Sequence, residues 1–448
     1  MKKLLFTAAS LGLILSVSGQ TNPAITSWLQ NTTLYGSHYV SGNSTAIKDN
    51  VLANVQKVQY SNDYVYINTH GIPAYATGPF LDGNPSLASD QDVIFQIPLN
   101  PAKNTGTPTA STAGNIGVFV NGVALFDYRD GVSYSLSAAK DQGGPSGGRG
   151  DGVWNRDAVP AEMDGFDCSK GHPAMGNYHH HQNPSAFKLD QTVVSTICNL
   201  YDADGLYTMD STKHSPLIGF AYDGFPIYGA YGHANTDGTG GITRINSSYK
   251  LRNVTVRTHY ADGSDVTDGP AVNTTYPLGH YREDYEYKST NGHLDEHNGR
   301  FCITPEYPNG IYAYFCTVDK EWNSAYPYAV GPTFYGNWAR RNVTSISETV
   351  EIYKSTTSVD YQGIQLNTNF SVFPNPAQDF VAVQASGLVE NNIELELVTL
   401  KGEVVRSSTL KQGSTIWYID TKTLYNGQYL LRIVQGAQVS VKKVIIQK

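Results

Sequence analysis

Charge is scarce in this chain. Asp, Glu, Lys and Arg make up 16% of the 448 residues, and the net charge of −8 leaves no basic surplus. A protein without a positive face to spare is no nucleic-acid binder and does not lie on an anionic membrane. Apolar runs long enough to cross a bilayer are absent after Val17, so no transmembrane segment is expected. No 3.6-residue apolar period is sustained, which argues against a helical bundle. Cysteine is rare: four residues allow three pairings into two disulfides.

Glycine (43) and tyrosine (31) are plentiful. Turn formers with aromatics and short alternating runs predict a mainly β protein. A chain this long exceeds one ordinary core, so two or three folded units are expected. Met1-Lys2-Lys3 followed by the apolar run Leu4 to Val17 reads as a signal peptide over 1–19, with cleavage near Ser18 or Gly19. No cysteine follows that site, so a lipoprotein is not expected. Export would place the cysteines where disulfides persist.

The densest block of metal-capable side chains lies between Cys168 and Cys198: Gly171-His172-Pro173, then Tyr178-His179-His180-His181. If Tyr178 to His181 is extended, alternation puts His179 and His181 on one face and Tyr178 and His180 on the other. Two imidazoles on one face can converge on one ion, and His172 can add a third across the turn. The bland alternative is a hydrogen-bonded structural cluster. Cys302 and Cys316 stand symmetrically about Pro308-Asn309-Gly310, so a hairpin there would set them opposite each other as a disulfide. That leaves Cys168 with Cys198. A thiolate ligand is the competing reading in either case.

Elsewhere, Val118 to Phe126 predicts a hairpin turning at Asn121-Gly122, and Leu217 to Gly229 a second one turning at Asp223-Gly224. Asn246 to Tyr260 reads as a strand pair. Gly144 to Gly148 spells G-x-S-x-G around Ser146, but a nucleophile there needs a strand-to-helix turn that nothing suggests. Tyr201 to Gly205 places Asp202 and Asp204 in a turn rather than a complete Ca²⁺ loop. His293 to Arg300 adds Asp295 and His297 as further candidate groups. Residues 355–369 read as a linker, and alternating strands resume from Phe370 as a small β-sandwich.

Two resemblances follow. Residues 370–448, with Phe373-Pro374-Asn375-Pro376, Leu424 to Tyr429 and the basic-apolar end Val441 to Lys448, resemble the sorting domain of proteins exported by the type IX secretion system of Bacteroidetes. That implies an Ig-like sandwich handled by the secretion machinery, and an extracellular or outer-membrane destination. Residues from about 90 to 336 resemble the YHYH-domain family. The match rests on Tyr178 to His181, Gly171-His172-Pro173, Asn121-Gly122, Leu217 to Gly229, Leu294-Asp295-Glu296 with Asn298-Gly299-Arg300, and Tyr326-Pro327-Tyr328. His180 stands where the family usually has Tyr, and Phe315 where many relatives have His, which makes His297 a candidate replacement.

The expected organisation is therefore a signal peptide (1–19), a β-rich cargo region (20–354), a linker (355–369) and a sorting domain (370–448). The functional expectation is a metal-dependent hydrolase or oxidase. Its centre would be His172, His179 and His181 holding Zn or Cu, with Asp223, Asp295 or His297 as a further ligand or base. The alternative is a surface module that binds a glycan or peptide through aromatics such as Trp154 and Trp322. No nucleotide cofactor is expected.

Overall fold

A computed structural model describes residues 20–83, 86–144, 148–191, 196–199, 205–338, 342–353, 370–385, 389, 392–399, 403–435 and 438–448. The expected signal peptide, Ser146, Asp202, Asp204 and the expected linker lie outside these residues. The chain divides into two compact units, Met1–Tyr353 and Lys354–Lys448. Among the described residues, no helix is long and apolar enough to cross a membrane.

The first unit is built on an eight-stranded sheet. Its strands are β1 (Asn115–Phe119), β2 (Ala124–Phe126), β3 (His172–Ala174), β4 (Asn177–His180), β5 (Leu217–Ala221), β6 (Pro226–Tyr228), β7 (Gly299–Cys302) and β8 (Ile311–Phe315). They lie in the order β3-β4-β2-β1-β5-β6-β8-β7. Four hairpins thus stand side by side. Their turns follow local chemistry: at Asn121-Gly122 the Gly122 N–H closes onto the Phe119 carbonyl at 2.8 Å, and Gly122 takes a φ of 79°. Asp223-Gly224 turns the third hairpin in the same way, with Gly224 at φ 88°. A second sheet of Val55–Tyr60, Tyr64–Thr69, Val93–Pro98, Asn342–Val343 and Glu351–Tyr353 shares its core, with Val58, Ile67, Phe95 and Ile97 clustering with Val118, Phe220 and Ile227.

The eight strands fall into two equivalent halves. Strands β1-β2-β4-β3 run outward on one side of the centre and β5-β6-β8-β7 on the other. Each half has an antiparallel first hairpin, then a parallel join, then an antiparallel second hairpin. At the seam Gly117 pairs with Ala221 and Gly219 with Phe119. A Cβ on either glycine would meet the facing carbonyl, of Phe220 or Val118, at 2.7 Å. One constant shift in numbering carries Ile116-Gly117 onto Ile218-Gly219, Asn121-Gly122 onto Asp223-Gly224 and Leu125-Phe126 onto Ile227-Tyr228. The β-bulge falls at the same place in both hairpins.

Two expectations are corrected here and one is borne out. Cys302 pairs with Ile311, not Cys316, because the β7–β8 register is set five residues away from symmetry about Pro308-Asn309-Gly310. Both cysteines are buried and free. Cys316 lies beyond β8 and donates its N–H to the Tyr228 carbonyl. Cys168 and Cys198 do form a disulfide. Finally, Asn246 to Tyr260 is not a strand pair: only Tyr249–Leu251 is extended there, paired with Tyr285–Tyr287.

The second unit has seven strands among its described residues: β9 (Phe370–Phe373), β10 (Phe380–Ala385), β11 (Ile393–Thr399), β12 (Val404–Leu410), β13 (Ile416–Asp420), β14 (Gly427–Gln435) and β15 (Gln438–Ile446). Sheets β9-β10-β13 and β12-β11-β14-β15 enclose one core of Val381, Val383, Leu395, Leu397, Leu431, Ile433 and Val444. Period-2 burial along β11, with Ile393, Leu395 and Leu397 inward, is what a two-sheet sandwich demands.

Candidate metal centre

Strands β3 and β4 form a tight hairpin in which His172 pairs with His179. Alternation along β4 then sorts the side chains. Nε2 of His179 lies 3.1 Å from Nε2 of His181, and Nε2 of His172 lies 3.3 Å from the same atom. The ligand atoms of the three buried histidines are all within 4.8 Å of one another, close enough to hold a metal ion. Four nitrogens at about 2.05 Å around a tetrahedral ion would be spaced by roughly 3.3 Å, so the observed separations suit a shared cation.

The far ring atoms fix the tautomers. Nδ1 of His179 donates to the Asn177 carbonyl at 2.8 Å, and Nδ1 of His181 to the Asp127 carbonyl at 2.7 Å. A carbonyl can only accept, so each neutral ring presents a bare lone pair at Nε2. Lone pairs facing each other at 3.1 Å repel unless a proton or a cation lies between them. Phe126 stacks on His179 at 3.7 Å and holds its ring plane.

His180 points the other way. Its Nδ1 donates to the Lys170 carbonyl at 3.0 Å and its Nε2 accepts from the Tyr75 hydroxyl at 2.7 Å. Burial pushes its pKa down to about 3, so it is a neutral structural residue. Tyr178, also on that face, donates to Asp167 at 2.8 Å. The backbone must come close here: a Cβ on Gly171 would stand 2.4 Å from the Tyr178 ring.

Glu162 was not singled out by the sequence. It caps a single helical turn, Ala158–Ala161, whose N-cap Asp157 accepts from the Val159 N–H. Its Oε2 lies 3.3 Å from Nε2 of His181 and 3.4 Å from Nε2 of His172. That oxygen is buried and faces both imidazoles. One acid in a short turn outside the histidine stretch carries no spacing signal, and only the fold brings it in.

Electrostatics divide the site. Burial, then repulsion from His181, pushes the His172 pKa down to about 4. Burial, then His181 and His172, holds His179 well below its ordinary value. For His181 burial also opposes charge, but the hydrogen bond and charge of Glu162, helped by Asp127, lift the pKa above the ordinary histidine value. Glu162 responds in kind: burial opposes its ionisation, and His181 outweighs it, so its pKa is lowered. His181 and Glu162 thus each favour the other's charged form. His172 and Glu162 also line a cleft of about 1170 Å³, so one side of the cluster faces outward.

Asp223, Asp295 and His297 do not join this cluster. Asp223 accepts from the Tyr314 hydroxyl at 2.6 Å, Asp295 from the Tyr312 hydroxyl at 2.8 Å, and His297 contacts Thr333. They belong to the β7–β8 half. Strand β8 stands five positions from β4 across the sheet, roughly 24 Å at the usual strand spacing. His297 therefore cannot replace a ligand at Phe315's position and serve His179 as well. Trp154 is buried and donates to the Thr267 carbonyl, which leaves it no exposed stacking face, while the half-buried Trp322 donates to the Tyr231 hydroxyl.

The profile of the family described as YHYH protein matches residues 94–327, and that described as secretion system C-terminal sorting domain matches 371–447. No curated protein matches the chain.

Proposed function

The chain belongs to the YHYH protein family and carries a type IX sorting domain that marks it for export, and from that premise we propose that it is a metal protein of the cell surface or exterior. The ligands in this reading are His172, His179 and His181. The observation that carries it is the convergence of three Nε2 atoms, two of them in rings whose Nδ1–H donates to a backbone carbonyl, so that the neutral ring leaves Nε2 bare. An ion bound there would act as a Lewis acid and would supply an activated water at its open side.

The chain's own residues do the remaining work. The Asn177 and Asp127 carbonyls orient two rings, and Phe126 prevents one of them from rotating. Glu162, ionised beside His181, is placed to accept a proton from a group bound on the cleft side. This arrangement suits a hydrolase or oxidase more than passive binding.

The test is elemental analysis of the full chain, purified without chelator. About one equivalent of Zn or Cu is expected, and His181→Ala should lose it. A protein that stays metal-free after incubation with both ions, while folded, would leave the cluster a structural one.

A further inference from the structure

Methionine is one of the rarest residues here, with four in the chain. Two of them, Met163 and Met175, line the cleft onto which His172 and Glu162 open. Met175 occupies the two-residue turn between β3 and β4, the turn that joins His172 to His179. Its backbone φ is 50° and that of Gly176 is 86°. Two-residue hairpin turns with both φ values positive favour Asn-Gly, because an unbranched apolar side chain gains nothing in the left-handed region. Met175 is also 98% exposed, so packing does not explain its presence. A residue that breaks the local turn rule and is left in solvent beside a ligand cluster points to a role of its own. Met163 sits on the other wall, at the start of the turn Met163–Gly165 that follows Glu162.

A thioether is a soft, neutral donor that selects Cu(I) and has little attraction for Zn²⁺ or for hard cations. Resting on the metal reading above, we propose that the histidine centre is loaded with copper as Cu(I), which Met175 and Met163 capture in the cleft and pass to His172. The step is a ligand exchange without change of oxidation state: a copper–sulfur bond breaks as a copper–nitrogen bond forms.

The experiment is anaerobic transfer of Cu(I) from bicinchoninate to the metal-free full chain, followed by the loss of chelator colour. Met175→Leu and the double variant Met163→Leu/Met175→Leu are compared with wild type, and Zn²⁺ transfer from a chromogenic chelator is the control. Met175 is solvent-exposed, so its single variant folds even if the double does not. The single variant should slow Cu(I) transfer several-fold and the double about tenfold or more, with one copper bound at the end and Zn²⁺ rates unchanged. Unchanged Cu(I) rates in both variants would overturn the proposal, as would a wild type that takes Zn²⁺ but no Cu(I). That last outcome leaves the histidine centre standing. Uptake of neither ion would remove both readings at once.

Discussion

The two halves of the eight-stranded sheet share a frame and differ in what they display. In the first, Tyr178 donates to Asp167, which also accepts from the N–H groups of Ser169 and Gly171; in the second, Tyr312 donates to Asp295, which accepts from His297 and Gly299. Lys170 and Asn298, at the same point of each loop, share a φ of 64°. Gly171 and Gly299 each let a tyrosine ring approach where a Cβ would collide. Yet the register that sets His172 opposite His179 sets Arg300 opposite Ala313. Phe315 takes the place of His181, and the Arg300 guanidinium lies over its ring at 5.3 Å. Frame and chemistry are thus separable: the same Asp–Tyr–Gly loop supports three imidazoles on one side and a cation–π contact on the other.

The largest break in the comparison should come from the ligands. His179→Ala or His181→Ala should weaken metal affinity by more than about 100-fold, beyond the usual effect of an outer residue. Phe315→Ala should leave affinity unchanged while costing about 3–5 kcal/mol of stability. Calorimetric titration and denaturant melts separate the two. Moving the display should come next. Arg300→His/Ala313→His/Phe315→His is expected to raise bound metal from one equivalent to about two, the second weaker because no Glu162 stands beside it. A count that stays at one would mean the halves match in topology but not in side-chain geometry.

The frame itself should answer alike in both halves. Tyr178→Phe and Tyr312→Phe each remove a hydroxyl from a carboxylate, buried at Asp167 and half-buried at Asp295, so each should cost about 1.5–3 kcal/mol in urea unfolding, and a large inequality would deny the equivalence. Acidity should touch one half only. A proton and a metal compete for Nε2 of His181, whose pKa Glu162 raises, so metal affinity is full above that pKa and falls as pH drops through it. Glu162→Gln removes the raising cause and should move the midpoint of that fall down by about one unit. The smallest effect is expected from His180→Tyr. The new hydroxyl would extend toward Asn121, as Tyr314 reaches Asp223 at 2.6 Å, and metal content should not change.

Much of this was legible in residues with strict local rules. Alternation placed His179 and His181 together and turned His180 away, and Asn121-Gly122 and Asp223-Gly224 announced their hairpins. The sorting domain was readable from its strands. Register was not: the position of Cys302 against Ile311 depends on the length of the loop Ile303–Gly310, which symmetry about a turn signal does not supply. Nor did the sequence reading recognise that Val118 to Phe126 and Leu217 to Gly229 are one pattern used twice, because few of their residues are identical and the equivalence lies in pairing. Glu162 was invisible for the same reason, since its approach to His181 is a tertiary contact.

The tight β3–β4 turn has a thermodynamic consequence. It keeps His172, His179 and His181 within one short stretch of chain, so the three imidazoles need no folded protein to meet. An unfolded or partly threaded chain can still chelate an ion, and whatever it binds subtracts from the stabilisation that the ion confers on the native state. Saturating metal should therefore raise the melting temperature less than the native affinity alone would suggest. What folding adds is the part that comes from elsewhere: the Asp127 carbonyl, the Phe126 ring and Glu162.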